Sequence, residues 1–281
     1  MTATDAPTRT GTRLPTYAIS HGGGPWPWIK EMLPGDHTPL EESLQAIPTE
    51  IGTVPRAVLM VSAHWETDEF TVQSHPAPPM LYDYGGFPDF TYHLQYPAPG
   101  SPEVAAEVVE LLTAAGIPIE VEDRGRGFDH GVFVPLAVAY PDADVPVVQF
   151  SVRRDFDPVA HLAVGRAMAP LRDRGVLIVG SGFPSYHDLS NFGSGAVDPS
   201  REFDAWLTET MVGHVGPERS HRLRRWSEAP SARLAHPREE HLIPLLVAVG
   251  AAEGEAGVRQ YHQERFMGAV NSSAYRLGEV A

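Results

Sequence analysis

The sequence carries 13 histidines and no cysteine, so any metal it binds must be held by imidazole and carboxylate. Three of those histidines stand just beyond short apolar runs bounded by breakers: His21 after residues 17–20, His64 after 57–62 and His187 beyond 176–181. Runs of this kind read as buried strands. In an open α/β sheet, ligands bind in the crevice beyond the carboxyl ends of parallel strands, so parallel pairing would bring these imidazoles from distant parts of the chain to one edge. A lone loop histidine is ordinarily a half-buried polar residue; three at the same topological position weaken that reading considerably. His130, in Phe128-Asp129-His130-Gly131, and His241, in His236-Pro237-Arg238-Glu239-Glu240-His241, each precede a further apolar run and extend the set.

Other chemistries fit less well. The turn His21-Gly22-Gly23-Gly24-Pro25 could let a backbone approach phosphate, but no GxGxxG or Walker lysine accompanies it, and HExxH is absent. Lys30 is the single lysine, which leaves Schiff-base chemistry one candidate in a loop. A formal net charge of −15 argues against a nucleic-acid partner. No apolar run is long enough to span a bilayer, and the polar start lacks a signal core, so the expected location is cytoplasmic. The oligomeric state is left open.

The elements that must position these residues alternate between strand and helix. Outer strands are expected at 70–73 and 117–122, a further buried strand at 145–151, and closing strands at 260–266 and 274–277. Ser101-Pro102-Glu103 reads as a helix start, with the helix running over 104–115 to Gly116; others are expected at 158–174, 201–214 and 239–249. The expectation is an α/β fold: a single domain with a mostly parallel or mixed central sheet covered by helices. A flexible segment, 1–15, would precede a catalytic domain over 16–281.

Ser20-His21-Gly22, Ser62-Ala63-His64-Trp65 and Tyr84-Gly85-Gly86-Phe87-Pro88 resemble motifs of the class III extradiol ring-cleavage dioxygenases. So do Tyr96-Pro97-Ala98-Pro99-Gly100, Gly127-Phe128-Asp129-His130-Gly131 and Glu240-His241-Leu242-Ile243-Pro244-Leu245-Leu246. The likeness runs from about residue 17 to 250 in the family's order, and is greatest to the branch that acts on DOPA at its 4,5 bond.

That resemblance implies a mononuclear metal held by His21, His64 and His241, with Glu239 and Glu240 as competitors for the third place. Fe(II), which needs open positions for substrate and oxygen, is the implied working metal, and Zn(II) would also bind such a set. The implied partners are a small catechol and O2, both of whose atoms enter a ring-opened semialdehyde. One proton must leave the catechol and another must reach the departing oxygen, work suited to imidazoles with an ordinary pKa near ~6.5. His187 is the implied acid/base, with a further possibility of ligating the metal, and His130 the implied partner of substrate or dioxygen. A zinc hydrolase using the same histidines and a non-catalytic Memo-like binding protein are the rival readings; retention of every expected histidine speaks against the second.

Trp26, Trp28, Trp65 and Tyr186 are the expected substrate-binding aromatics. Two indoles so soon after His21 predict a preference for an apolar or neutral catechol over zwitterionic DOPA. Histidines 37, 75, 161, 214, 221 and 262 are expected to be solvated, and Arg124 and Arg126 to lie on the surface.

Overall fold

Unbroken apolar runs become inner strands because both faces of such a strand need covering. A computed structural model describes residues 13–280; most of the segment expected to be flexible lies outside them. In chain order the elements begin β1 (Thr16–Ser20), α1 (Trp26–Ile29), α2 (Thr38–Ile51), β2 (Ala57–Thr67), β3 (Thr71–Gln73), α3 (Pro102–Ala114), β4 (Glu120–Glu122), α4 (His130–Ala139) and β5 (Val147–Arg153). They continue α5 (Pro158–Met168), α6 (Pro170–Asp173), β6 (Val176–Gly182), α7 (Val197–Gly213), α8 (Pro217–Arg224), α9 (Ala232–Ala235), α10 (Ile243–Ala251), β7 (Gly257–Phe266) and β8 (Val270–Leu277).

The strands form one eight-stranded sheet in the order β4-β3-β5-β2-β6-β1-β8-β7. Its centre, β5-β2-β6-β1, is parallel. The flanks reverse direction, with β3 antiparallel to β5, β8 to β1, and β7 to β8. The sheet is therefore mixed, within a single α/β domain.

Strand β6 shows how helices cover both faces. A Cβ on Gly180 would lie 2.2 Å from the carbonyl oxygen of Pro244 in α10, so α10 rests directly on that residue's backbone. The next residue, Ser181, points to the other face and donates its hydroxyl to Gly131 O in α4 at 2.5 Å. That carbonyl is free because its helical partner four residues on is Pro135, which has no N–H. Ser181 thus supplies the bond that the helix cannot make and ties α4 to the sheet.

Several boundaries differ from expectation for identifiable reasons. β2 does not stop at residue 62; its pairing with β5 breaks between Val61 and Glu66 and resumes to Thr67, which places His64 within an irregular stretch of strand. The helix expected over 158–174 divides at Pro170, as a proline without a donor requires. The one expected from 239 begins at Ile243, with Pro244 in its first turn. The strand expected over 117–122 is ordered as such only at Glu120–Glu122, on the sheet edge.

Candidate active site

Five histidines come from the irregular stretch of β2, which carries His64, and from element ends and loops, which carry the other four. β1 ends at Ser20, and the amide of His21 donates to Gly182 O at 3.0 Å, so the chain leaves β1 beside the end of β6. Trp26 Nε1 donates to the His21 carbonyl at 2.8 Å. The same indole packs on Gly22, which has φ +77° and where a Cβ would lie 2.4 Å from the ring, so only glycine lets this turn close. His241 comes two residues before α10, and its carbonyl accepts from Phe183 N at 3.0 Å. His130 opens α4, its amide donating to Asp83 Oδ1 at 3.0 Å. His187 lies in the loop after β6, anchored through its amide to Ala235 O at 2.7 Å.

The three histidines expected to bind metal converge. His64 Nε2 lies 3.2 Å from His21 Nε2 and 3.2 Å from His241 Nε2. Their Nδ1 atoms face acceptors: Gly22 O at 2.7 Å for His21, Glu240 Oε1 at 2.9 Å for His241, and Asp83 Oδ2 at 3.4 Å for His64. An acceptor opposite Nδ1 puts the proton there, which turns each Nε2 lone pair toward the common point. Three lone pairs facing one another repel unless a cation lies among them. Nitrogens ~2.1 Å from one ion would be ~3.0 Å apart at a right angle and ~3.4 Å at the tetrahedral angle, and the observed spacing falls between. The donor set fits a divalent metal.

Two carboxylates clamp the other histidines to this set. Asp83 Oδ1 accepts from His130 Nδ1 at 2.8 Å while its second oxygen faces His64. Glu240 Oε1 faces His187 Nδ1 at 3.0 Å as well as His241 Nδ1. Each carboxylate therefore joins one converging histidine to one outer histidine and leaves the outer Nε2 free to work. This is the pattern in which ligating imidazoles are oriented by acceptors behind them.

Electrostatics follow from burial. Burial, then repulsion from His130 and His187, lowers the His21 pKa to about 3. Burial likewise holds His64 and His241 well below the usual imidazole range, so all three are neutral donors at neutral pH. Burial pushes Asp83 and Glu240 upward, but their bonds to His130 and His187 outweigh it and hold both below the normal carboxylate range. Asp129 goes the other way, raised by burial and by nearby Asp83.

A cavity of about 530 Å³ opens over the histidines. Besides the five imidazoles and Asp83, its walls are Gly22, Gly23, Gly24, Leu33, Pro34, Tyr84, Phe87, Phe183, Leu189, Phe192 and Met267. The four aromatics expected to bind substrate are not among them. Trp26 is fully buried and stacks on His37, ring centroids 5.6 Å apart. Trp28 lies 6.2 Å from the Phe133 ring, and Trp65 is buried beneath the Arg126 guanidinium at 4.9 Å. Tyr186 is buried behind Phe192 and donates its hydroxyl to Asn191 O at 2.8 Å.

Other placements also differ from the sequence reading. Arg126 is not a surface charge: it donates to His64 O and to Asp129 Oδ2, each at 3.2 Å. Arg124 is exposed as expected. His37 and His161 are buried, not solvated. Asp83 and the orienting role of Glu240 were missed; Asp83 adjoins Tyr84-Gly85-Gly86-Phe87-Pro88, a motif that marked the spot.

The family profile described as "Catalytic LigB subunit of aromatic ring-opening dioxygenase" matches residues 16–277. The chain is 39% identical to the dioxygenase tasH of Hapsidospora irregularis over 92% of its own length and 84% of that protein's. It is 37% identical to the 4,5-DOPA dioxygenase extradiol of Beta vulgaris, covering 93% of this chain and 96% of the relative. The corresponding protein of Escherichia coli (strain K12) is 33% identical, over 95% and 96%. A crystal structure of an uncharacterized Escherichia coli K12 protein superposes with a TM-score of 0.76 at 30% identity, covering 95% of this chain and 100% of that one. Among the described residues no helix is long and apolar enough to cross a membrane.

Proposed function

The chain belongs to the family of LigB catalytic subunits of aromatic ring-opening dioxygenases, an extradiol dioxygenase family, and from that premise we propose that it opens a small catechol with O2 at Fe(II) held by His21, His64 and His241. The observation that carries this reading is the convergence of three neutral Nε2 atoms, 3.2 Å apart in sequence-distant pairs, at the base of a cavity. When bound, the ion supplies open positions for both catechol oxygens and for dioxygen and lets electrons pass between them. Zn(II) would occupy the same donors without that redox capacity.

The remaining groups handle protons and position. His187 is the acid/base. Its Nδ1 is committed to Glu240, so Nε2 is the atom that takes a catechol proton and later returns one to the oxygen that departs on O–O cleavage. His130, fixed by Asp83 through both its amide and Nδ1, presents Nε2 to substrate or dioxygen. The apolar walls exclude water from this exchange.

Anaerobic reconstitution with Fe(II), followed by catechol and measured oxygen, tests the proposal. One O2 consumed per catechol, with a yellow semialdehyde product, is the expected result. Metal-dependent hydrolysis without oxygen uptake would instead mark a hydrolase.

A further inference from the structure

The walls of the cavity divide sharply by chemistry. Every titratable lining group except the Tyr84 phenol is one of the five histidines or Asp83, all of them gathered around the point where the Nε2 atoms meet. Away from that point the walls are Leu33, Phe87, Phe183, Leu189, Phe192 and Met267. Tyr84 adds a ring but no free hydroxyl, because its Oη donates to Thr91 O at 2.6 Å. Among the described residues no lysine or arginine lines the cavity. Two cations outside the lining are engaged elsewhere: Lys30 pairs with Glu41 at 2.5 Å, and Arg126 is held by Asp129 and the His64 carbonyl.

Size points the same way. A benzene ring is accommodated by a cavity of ~150 Å³, whereas about 530 Å³ is present here. Once the dihydroxylated ring lies over the histidines, the rest of the space is apolar and large enough for a bulky group. A carboxylate held against those walls would lose part of its hydration and meet no cationic side chain of the described residues, which is unfavourable. An alkyl or aryl group would gain by leaving water.

We propose that the substrate is a catechol whose substituent is uncharged and apolar, alkyl or aryl, and that Leu33, Phe87, Phe183, Leu189, Phe192 and Met267 select it against catechols bearing a carboxylate. This rests on the ring-cleavage reading above. It departs from the substrate in the names of the DOPA-cleaving relatives, and it does not depend on Trp26 or Trp28, which lie outside the cavity.

The test compares 4-phenylcatechol with 3-(3,4-dihydroxyphenyl)propionate and DOPA, in two readouts. The first is kcat/KM of the Fe(II) enzyme; the second is the dissociation constant of the Zn(II)-loaded protein, which binds without turnover, followed by tryptophan fluorescence. Phenylcatechol should lead by roughly tenfold or more in both. Leu189→Lys, at a cavity-mouth residue that is 73% exposed and so able to accept a lysine, should raise binding of the propionate by about tenfold while weakening that of phenylcatechol. Equal or tighter binding of the carboxylates by the wild-type protein overturns the proposal, and so does a Leu189→Lys protein with unchanged preference. Unsubstituted catechol is the control that separates the two readings: if it too is never opened, ring cleavage itself is wrong, whereas cleavage with carboxylate preference refutes only the selectivity.

Discussion

The imidazole of His187 lies flat on that of His241, ring centroids 3.4 Å apart and planes 19° from parallel. Behind the pair, one oxygen of Glu240 faces both Nδ1 atoms, at 3.0 and 2.9 Å. The histidine proposed to handle protons and one proposed to hold the metal therefore share a single orienting charge, and disturbing it should reach both. Glu240→Gln keeps the size but removes the charge. Loss of such an acceptor typically weakens metal binding ~10–100-fold, so chelator competition should show a loss of that order together with reduced turnover. Unchanged metal affinity would mean that the shared oxygen does not orient His241.

Ligand identity is checked by removing donors singly. His21→Ala, His64→Ala and His241→Ala should each lose metal and activity together. Glu239 should be dispensable, because its carboxylate pairs with Arg233 at 2.5 Å; Glu239→Gln should keep full metal content by elemental analysis. Metal retained in His241→Ala and lost in Glu239→Gln would reverse the assignment.

Proton transfer is isolated at His187. General acid–base catalysis contributes ~10²–10⁴-fold, so His187→Gln should lose turnover by that factor while catechol still binds. If metal is lost as well, His187 is a ligand. Near-normal turnover would remove it from the mechanism.

Much of the candidate site was legible because its converging histidines stand beside chain features with strong local signals. His21 comes directly after an unbroken apolar strand, and Glu240-His241 directly before an apolar helix with proline in its first turn. The carboxylate clamps were not legible in the same way. Asp83 lies in a segment with no periodicity, and its partners stand 19 residues before it at His64 and 47 after it at His130. Trp26 misled for a related reason: its closeness in sequence to His21 suggested the rim, but Gly22 folds the indole beneath the turn, onto His37. The apolar walls that replace it come from the ends of other elements, which only the sheet order brings together.

Acid stability should reveal the buried histidines outside the metal set. Burial, foremost, lowers His161 to about 4 and His236 to about 3. For His161 the reason is visible: Nδ1 donates to Asp157 O at 2.7 Å and Nε2 accepts from Arg153 N at 3.0 Å, so a second proton has no place. An unfolded chain protonates both near pH ~6.5, and the folded one does not. Stability should therefore be fully present above that pH and fall as pH drops toward 4, by ~1.4 kcal/mol per pH unit for each group. Denaturation of chelator-treated protein measures the slope, and His161→Gln should make it shallower. A flat profile between pH 6.5 and 4.5 would contradict the assignment.

The bond from Ser181 to Gly131 O has a local and a remote consequence. Ser181→Ala leaves a buried carbonyl unpaired beside Pro135, a loss of ~1–3 kcal/mol that chemical denaturation should detect. Gly131→Ala is the harsher change. A Cβ there would stand 2.8 Å from Ser62 Oγ and 2.9 Å from His64 Cδ2, so metal affinity should fall along with stability. Tight metal binding in Gly131→Ala would show that His64 can yield without cost.

Strand β1 enters the sheet between β6 and β8, whose residues lie at 176–182 and 270–277. His21, the first of the proposed metal-binding histidines, is made early, yet its strand lacks one of its two neighbours until nearly the whole chain exists. At ~5–20 residues per second of synthesis, the interval between the two is on the order of 10–50 s. Until residue 241 is made, the growing polypeptide carries His21 and His64 without the third histidine of the set. A three-histidine site therefore predicts that ribosome-bound chains ending before His241 hold no metal.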